Sequence, residues 1–559
     1  MREVVMRIRS RAPKHFLFFF AASLLVVFAF LVRERRAHFG LPYVYYWDEP
    51  QLASAALQML KSGDLNPHMY DYGSLLVYIY YLVDIPHFLF LMTQPENSNS
   101  YINYMSDIAT GANTGWYWSI SHPSFYFVDR FVNVLFGTGT VILTYFLANR
   151  VLMSRWLGLA AASFMAVLGI HIQYSALITP DVPAAFFVTG VVLFSLVFLE
   201  GGKLAPLVAA LVFCGLGAAT KYNSGLSVIT PASAILLRYA LYPRESFDRR
   251  WLVLLVAIPT VTFFVVMPYA LLDTNHFLDG MGFQLRHYKV LGHPGAESKP
   301  GLDHIIFQIK SFYQYIGVIY SVIVVIGLGI LFIRPKIWLV LLYPAAFFLF
   351  QTQMKVNFHR NFIQIYPFLG LLFAAGCMLI VRLSERLSER LTKSTAGAYA
   401  TAALIVGLLV STAYGGWRES MSEHRHVDSR SSLIGLINGL PNTDLAILPT
   451  DLRIHEEDLR QLRRPYAVKP AQQLGACDAS GQRSVLVVPA ETISYNQTPE
   501  NAALRERYRV LLSELGPNDI LARIGDNPLG LDGPTNTPRM IVARRRACSQ
   551  PTPGAAKTG

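Results

Sequence analysis

Apolar residues in this chain come in long unbroken blocks, not in the short stripes or alternations of a soluble domain. A membrane-crossing helix needs about 20 consecutive apolar residues. Runs of that kind fall at 15–32, 125–149, 156–178, 182–199, 204–220, 225–242, 251–272, 312–333, 337–353, 361–381 and 396–414. The pattern predicts an α-helical polytopic membrane protein with about eleven spans. Two weaker segments complete its first outer loop. At 50–61, Leu52, Ala53, Ala56, Leu57 and Leu60 share one face, which predicts an amphipathic helix lying along the membrane surface. The run 73–92 carries Asp84 and Pro86 near its middle and reads as an interfacial or re-entrant helix. After Tyr414 the blocks stop. Short β-like runs ("DLAILP", "SVLVVPA", "DILARIG") then alternate with polar helical stretches such as "ENAALRERYRVLLSELG". The expected organisation is a membrane domain over 1–414 and a soluble α/β domain over 415–559, its last dozen residues a disordered tail.

The charged residues orient this array. With the N-terminus inside, inner connections contain Arg150 and Arg155, then Lys203, then Arg238, Arg244, Arg249 and Arg250, then Arg334 and Lys336, then Arg382, Arg386, Arg390 and Lys393. That follows the positive-inside rule, with Arg33, Arg35 and Arg36 after the first span as the exception. An odd number of spans leaves the C-terminal domain extracytoplasmic. The basic "RERRAHFG" offers no small-residue cleavage site, so 15–32 reads as an uncleaved span. Composition agrees: 53% of residues are hydrophobic, 15% charged, and the mean hydropathy is +0.36. A net charge of +12 is explained by the inner loops, and no soluble basic module points to nucleic acid. Cys214 and Cys377 lie in apolar runs, while Cys477 and Cys548 are placed to pair in an oxidising compartment.

Residues suited to chemistry gather on the outer side. The first outer loop holds Asp48 and Glu49 in "WDEP", ahead of the amphipathic helix for which Asp48 is also a good N-cap and Gly63 a good stop. It continues with Asn66, His68, Asp71 and Tyr72 in a Pro- and Gly-containing stretch. His68 with Asp71 offers ligands to a divalent metal or a sugar, with a spacing that specifies no particular metal and no cofactor required by any motif. Asp181 in "ITPDVPA" sits where one span ends and the next begins, again a natural N-cap. Lys221 and Tyr222 in "TKYNSG", and His359 and Arg360 in "NFHRNFIQ", lie at outer helix ends, placed to meet a lipid phosphate.

The strings "WDEP", "GDLNPH", "YDYGSLLVY", "DRFVNVLFGTGTVILTY", "QYSALITPDVPAAFF", "GLGAATKYNSG" and "HRNFIQIYPFLGLL" occur in an order and spacing that resembles the bacterial glycosyltransferase C superfamily. The resemblance is to its protein-mannosyltransferase-like, phospholipid-carrier-dependent branch, which includes the transferase that adds aminoarabinose to lipid A. It spans roughly 15–380 and leaves the soluble tail uncovered. It implies that Asp48 is the catalytic base or the acid that positions the acceptor, with Glu49 as its neighbour and Asp181 as a second acid. Lys221 and Arg360 correspond to basic positions near the carrier phosphate. Some relatives read Glu-Lys-Pro-Pro where this chain has Asp71, Tyr72, Gly73 and Ser74; the acid is kept and the lysine is not.

The expected function is therefore transfer of a sugar from a polyprenyl-phosphate carrier to a glycan, lipid or protein acceptor outside the inner membrane, in lipopolysaccharide or other envelope-glycan modification. Nucleotide sugars are cytoplasmic, so an outer site requires a donor already carried across on lipid. A polytopic lipid or glycan transporter or flippase is the alternative. It would call for polar residues near the bilayer midplane and paired broken helices.

Overall fold

The computed structural model describes residues 2–46, 48–94, 118–119, 123–242, 248–293, 295–333, 336–424, 428–440, 445–478, 484–489, 499–515, 517–524 and 540–547. Cys548 and the expected disordered tail lie outside them. Two compact units emerge: Met1–Phe39 with Gln51–Tyr101 and Ser124–His424, and Gly40–Pro50 with Ile102–Pro123 and Arg425–Gly559.

The first unit is helical, and the chain is a polytopic α-helical membrane protein. Among the described residues seven helices are long and apolar enough to cross a membrane, or nine spans if each of two bent pairs is one. Three shorter apolar helices, Leu204–Thr220, Arg250–Val266 and Ile337–Gln351, occupy predicted spans. The run expected to lie at the interface or re-enter is one continuous helix, Leu75–Met92, of span length and with Pro86 inside. The last apolar helix, Ala396–His424, runs past position 414, where its hydrophobic block ends.

Two expected continuous spans are broken. The stretch at 156–178 bends by 66° between Arg155–Val167 and Gly169–Ser175, because Leu168 adopts an extended conformation. The stretch at 312–333 turns by 116° at Gly317, whose φ of +86° favours glycine. A break inside the membrane frees backbone carbonyls that lipid cannot satisfy. At the first one Arg33 supplies the donors: its fully buried guanidinium reaches Met165 O at 3.0 Å and Ala166 O at 3.4 Å, and meets His171 Nδ1 at 2.8 Å. Arg36 is buried too, 3.5 Å from Glu419. These two arginines are structural ligands and not solvated loop charges, which removes much of the exception to the positive-inside pattern.

Residues assigned to different inner loops meet. Glu200 pairs with Arg150 and, at 2.8 Å, with Lys336, while Arg238 donates to Leu199 O at 2.8 Å. The alternation read from the sequence thus becomes a real end of the helical unit. Helix contact relies on small residues: a Cβ on Gly327 would lie 1.9 Å from Leu372 O, and one on Gly376 would lie 2.0 Å from Ile323 O.

The second unit carries the C-terminal α/β domain. Its five-stranded sheet runs in the spatial order Tyr466–Lys469, Leu445–Pro449, Ser484–Pro489, Met540–Arg544, Ile520–Ile524. The first three strands are parallel and the last two pairings antiparallel. Leu433 and Ile437 of helix Ser429–Gly439 pack with Leu448, Val485 and Val542 in one core cluster. Tyr508 and Leu511 of helix Pro499–Glu514 pack with Ile447, Leu486 and Ala543 in another. Alternate residues of each strand thus point to opposite faces. Cys477 is disulfide-bonded, and Cys214 and Cys377 are free and buried.

Candidate functional site

Helix Asp181–Gly201 has Asp181 as its first residue and not as its N-cap: Pro180 holds the cap position, and no side chain caps the helix. Asn133 prepares that start by donating to Thr179 O at 2.9 Å while accepting the Tyr80 hydroxyl at 2.9 Å. Its neighbour Arg130 donates to Ala37 O at 2.9 Å and Phe39 O at 2.7 Å, finishing the first helix. Arg130 and Asn133 of "DRFVN" therefore hold backbone ends that would otherwise go unpaired. Asp181 itself is buried and accepts a bond from the Lys221 ammonium at 2.6 Å. Lys221 closes helix Leu204–Thr220 and also donates to Asn361 Oδ1 at 3.1 Å, an oxygen shared with the Tyr288 hydroxyl at 3.2 Å.

The strings with Lys221 and with His359 both fold into 3-10 turns, Tyr222–Val228 and His359–Ile365, and amides join them. Gln364 donates to Asn223 Oδ1 at 3.0 Å, Ser224 donates to Gln364 Oε1 at 2.9 Å, and Asn223 donates to Gln351 Oε1 at 3.4 Å. Because Asn361 Oδ1 already serves two donors, its Nδ2 must be the group left over. It and Gln351 Nε2 are buried donors that find no partner among the described residues.

A cavity of about 360 Å³ opens beside this network. Asp71, Tyr72, Lys221, Tyr222, Asn223 and Gln351 are among its polar lining residues, and Leu278, Met281, Leu285, Phe350 and Met354 among its apolar ones. The loop with Asp71 and Tyr72 is clamped there. The Tyr222 hydroxyl donates to Tyr70 O at 2.9 Å and Tyr72 O at 3.0 Å, and Gly73 lies so close to the end of helix Leu204–Thr220 that a Cβ would sit 1.9 Å from Ala219 O. Burial pushes the Asp71 carboxyl above the usual carboxylate range, against the opposing pull of His287.

Of the residues singled out by sequence, the structure brings Asp71, Tyr72, Lys221 and Tyr222 to one cavity and ties Asp181 to Lys221. Asn66, His68, His359 and Arg360, in the same unit, stand outside its lining. Asn66 donates to Asp273 at 2.7 Å, and the exposed His68 pairs with Asp64 at 2.8 Å. His359 is buried between Gln308 at 3.3 Å and the Tyr366 hydroxyl, and stacks on Tyr315 with ring centroids 4.2 Å apart. Arg360 lies over the Phe358 ring at 4.6 Å. Among the described residues no group of three or more His, Cys, Asp or Glu side chains stands ready for a metal, and His68 is paired with Asp64. Sequence reasoning passed over Asn223, Tyr288, Gln351 and Asn361; Asn223 and Asn361 stand inside motif strings already quoted.

Asp48 and Glu49 belong to the second unit. Asp48 is half-buried in the turn before helix Glu49–Ser62, and Glu49, its first residue, is fully buried. Helix Glu49–Ser62 ends at Gly63, with φ +72°, close to the expected 50–61.

Residues 125–270, which hold Arg130, Asn133, Asp181, Lys221 and Tyr222, match the family model of dolichyl-phosphate-mannose-protein mannosyltransferases. Over that segment the chain resembles the glycosyltransferase C superfamily, and no curated protein matches it. Among solved structures it is similar to ArnT from Cupriavidus metallidurans in the apo state, at 14% identity and a TM-score of 0.46, covering 97% of this chain and 100% of that one. The same protein bound to undecaprenyl phosphate matches at 13% identity and 0.46, over 96% and 99% of the two chains. The oligosaccharyltransferase of Archaeoglobus fulgidus matches at 12% and 0.45, over 84% and 70%.

Proposed function

We propose that this protein is a membrane glycosyltransferase that moves a sugar from a polyprenyl-phosphate carrier to an acceptor hydroxyl on the extracytoplasmic side. The observation that carries the reading is the amphipathic cavity at Lys221. An isoprenoid phosphate has a long apolar chain and one compact anionic head, and the cavity pairs a wall of Leu278, Met281, Leu285, Phe350 and Met354 with Lys221, Asn223 and Gln351. The family match over 125–270 includes Lys221 and is a second, independent support.

In this reading the acceptor oxygen bonds to the anomeric carbon as the bond from that carbon to the carrier phosphate breaks. The carrier phosphate leaves with the electron pair, the configuration inverts, and the acceptor proton passes to Asp48. Lys221, held in place by Asp181, stabilises the departing charge together with the leftover amide donors of Asn361 and Gln351. Asp71, whose carboxyl burial pushes above the usual carboxylate range, lines the same cavity and is placed to bond sugar hydroxyls.

The test is transfer of labelled sugar from a polyprenyl phosphate in membranes containing wild type or Asp48→Asn. The variant is expected to bind the carrier and lose transfer by about a hundredfold or more. Wild-type turnover in a folded Asp48→Asn protein would remove Asp48 as the base. Equal labelling of the acceptor without carrier lipid would remove the donor assignment.

A further inference from the structure

The segment that carries Asp48 enters the C-terminal unit as one of its buried parts. Tyr43, Val44, Tyr45 and Tyr46 are all buried, and Tyr43 is fully enclosed. A two-residue antiparallel pairing sets Tyr43 opposite Ser119 and Val44 opposite Trp118. Gly40, with φ +78°, turns the chain so tightly that a Cβ would lie 2.4 Å from the Tyr45 ring. Beyond this, the C-terminal domain grips the segment through polar groups. The Tyr43 hydroxyl donates to Asp458 Oδ2 at 2.7 Å and accepts the His455 amide at 3.0 Å. Asp458 Oδ2 is held in turn by the Ser431 hydroxyl at 2.8 Å. The Tyr45 hydroxyl donates to Asp428, which caps helix Ser429–Gly439 by accepting the Arg430 amide at 2.7 Å. Arg430 is fully buried, bonds Asp428 through Nε at 2.8 Å and through Nη2 at 3.1 Å, and covers the Tyr43 ring at 3.5 Å.

A buried Arg–carboxylate pair is an expensive way to stabilise a fold, since apolar residues of similar volume commonly do as well. It is an effective way to hold two aromatic side chains in one orientation, because the planar guanidinium fixes both the carboxylate and the ring. Both aromatic residues lie a few positions before Asp48, in an extended stretch with no helix of its own to stiffen it.

We propose that Asp428, Arg430 and Asp458 of the C-terminal domain, acting through Tyr43 and Tyr45, are positioning residues for Asp48, so that this domain is a working part of the catalytic centre. The inference rests on Asp48 being the base. Burial alone would raise the Asp428 carboxyl, and the Arg430 guanidinium overrides it and holds that carboxyl below its ordinary range, so the clamp stays charged at working pH.

The experiment uses the full-length protein in lipid nanodiscs with Tyr43→Phe and Tyr45→Phe, which remove one hydroxyl each and keep the ring that packs. Steady-state transfer is measured against the concentration of polyprenyl-phosphate sugar, and amide hydrogen exchange is followed over 43–50. The expected result for the double variant is a kcat lower by about tenfold to a hundredfold, an unchanged KM for the donor, and faster exchange confined to 43–50. Wild-type kcat, or a loss of kcat with exchange raised throughout the C-terminal domain as well, would overturn the proposal, the second because it marks a merely structural role. Asp48→Asn measured alongside separates the two readings. If it is inactive while the tyrosine variants are wild type, only the positioning fails; if it is active, the base assignment fails and takes the positioning with it.

Discussion

The Lys221 ammonium, bonded to Asp181 at 2.6 Å and almost wholly buried, has two jobs that pull on the same atoms. Its charge must be balanced for the protein to fold, and it must remain attractive to a phosphate. Removing the lysine alone strands a buried carboxylate, which costs about 3–5 kcal/mol. Lys221→Met is therefore expected to melt early in detergent, and adding Asp181→Asn is expected to recover most of the melting temperature. Carrier affinity should stay low in both. Recovery of donor KM in the double variant would mean that the ammonium does not bind the phosphate. Asp71 gives a pH-dependent counterpart. Its folded-state pKa is raised by burial, so ionising it costs the fold stability, and that cost appears as pH rises through and above the carboxylate range. Asp71→Asn should raise the thermal midpoint at about pH 7.5, and the advantage should vanish near pH 4. An equal gain at both values would trace the effect to something other than the charge.

Helix Val318–Gly327 and helix Tyr366–Thr392 meet backbone to backbone at Gly327 and Gly376, where the atoms in the way are carbonyl oxygens that no rotamer change can move. Gly376→Ala is expected to lower stability by about 1–3 kcal/mol, the usual cost of overpacking. Gly407→Ala, in helix Ala396–His424 with nothing within 4 Å, should be neutral or slightly stabilising, which makes it the control in a thermal-inactivation series. Elements of this kind were legible before the structure wherever a single period ruled. The apolar blocks, the amphipathic helix with Gly63 at its end, and the strands Leu445–Pro449, Ser484–Pro489 and Ile520–Ile524 all follow from local pattern. What was not legible depends on partners far away in the chain. The kinks at Leu168 and Gly317 fall inside stretches that read as single spans. His359 has the look of a ligand by its place at an outer boundary, yet a buried imidazole also needs partners, and Gln308 and Tyr366 provide them. Arg33 reads as a loop charge because sequence carries no sign of the carbonyls that enclose it, and nothing local marks Arg430 as the partner of a buried carboxylate and ring. Asn223 and Asn361 went unweighed because 3-10 turns at helix junctions have no periodic signature that marks an inward side chain.

On the scale of the whole molecule, the proposed chemistry depends on sidedness. The end of the helical unit where Glu200 meets Arg150 and Lys336 must face the cytoplasm, and the end with Lys221 must face away from it. The positive-inside rule gives that orientation. The thiol chemistry of the chain makes it measurable, since Cys214 and Cys377 are buried and Cys477 is in a disulfide. Single cysteines at Met153 and Lys203, both exposed and beside the basic connections, should resist a membrane-impermeant maleimide in intact cells and react after permeabilisation. Cysteines at Lys299, exposed in the segment 273–311, and at Gln472, exposed in the C-terminal domain, should react without it. The reverse pattern, Met153 labelled and Lys299 protected, would place the Lys221 cavity on the cytoplasmic side. Water-soluble nucleotide sugars would then reach the site directly, and the physical argument for a lipid-linked donor would lose its premise even if Asp48 proved essential. With the expected pattern the donor must cross the bilayer before transfer, and a cavity with an apolar wall and a cationic end is then the shape its carrier requires.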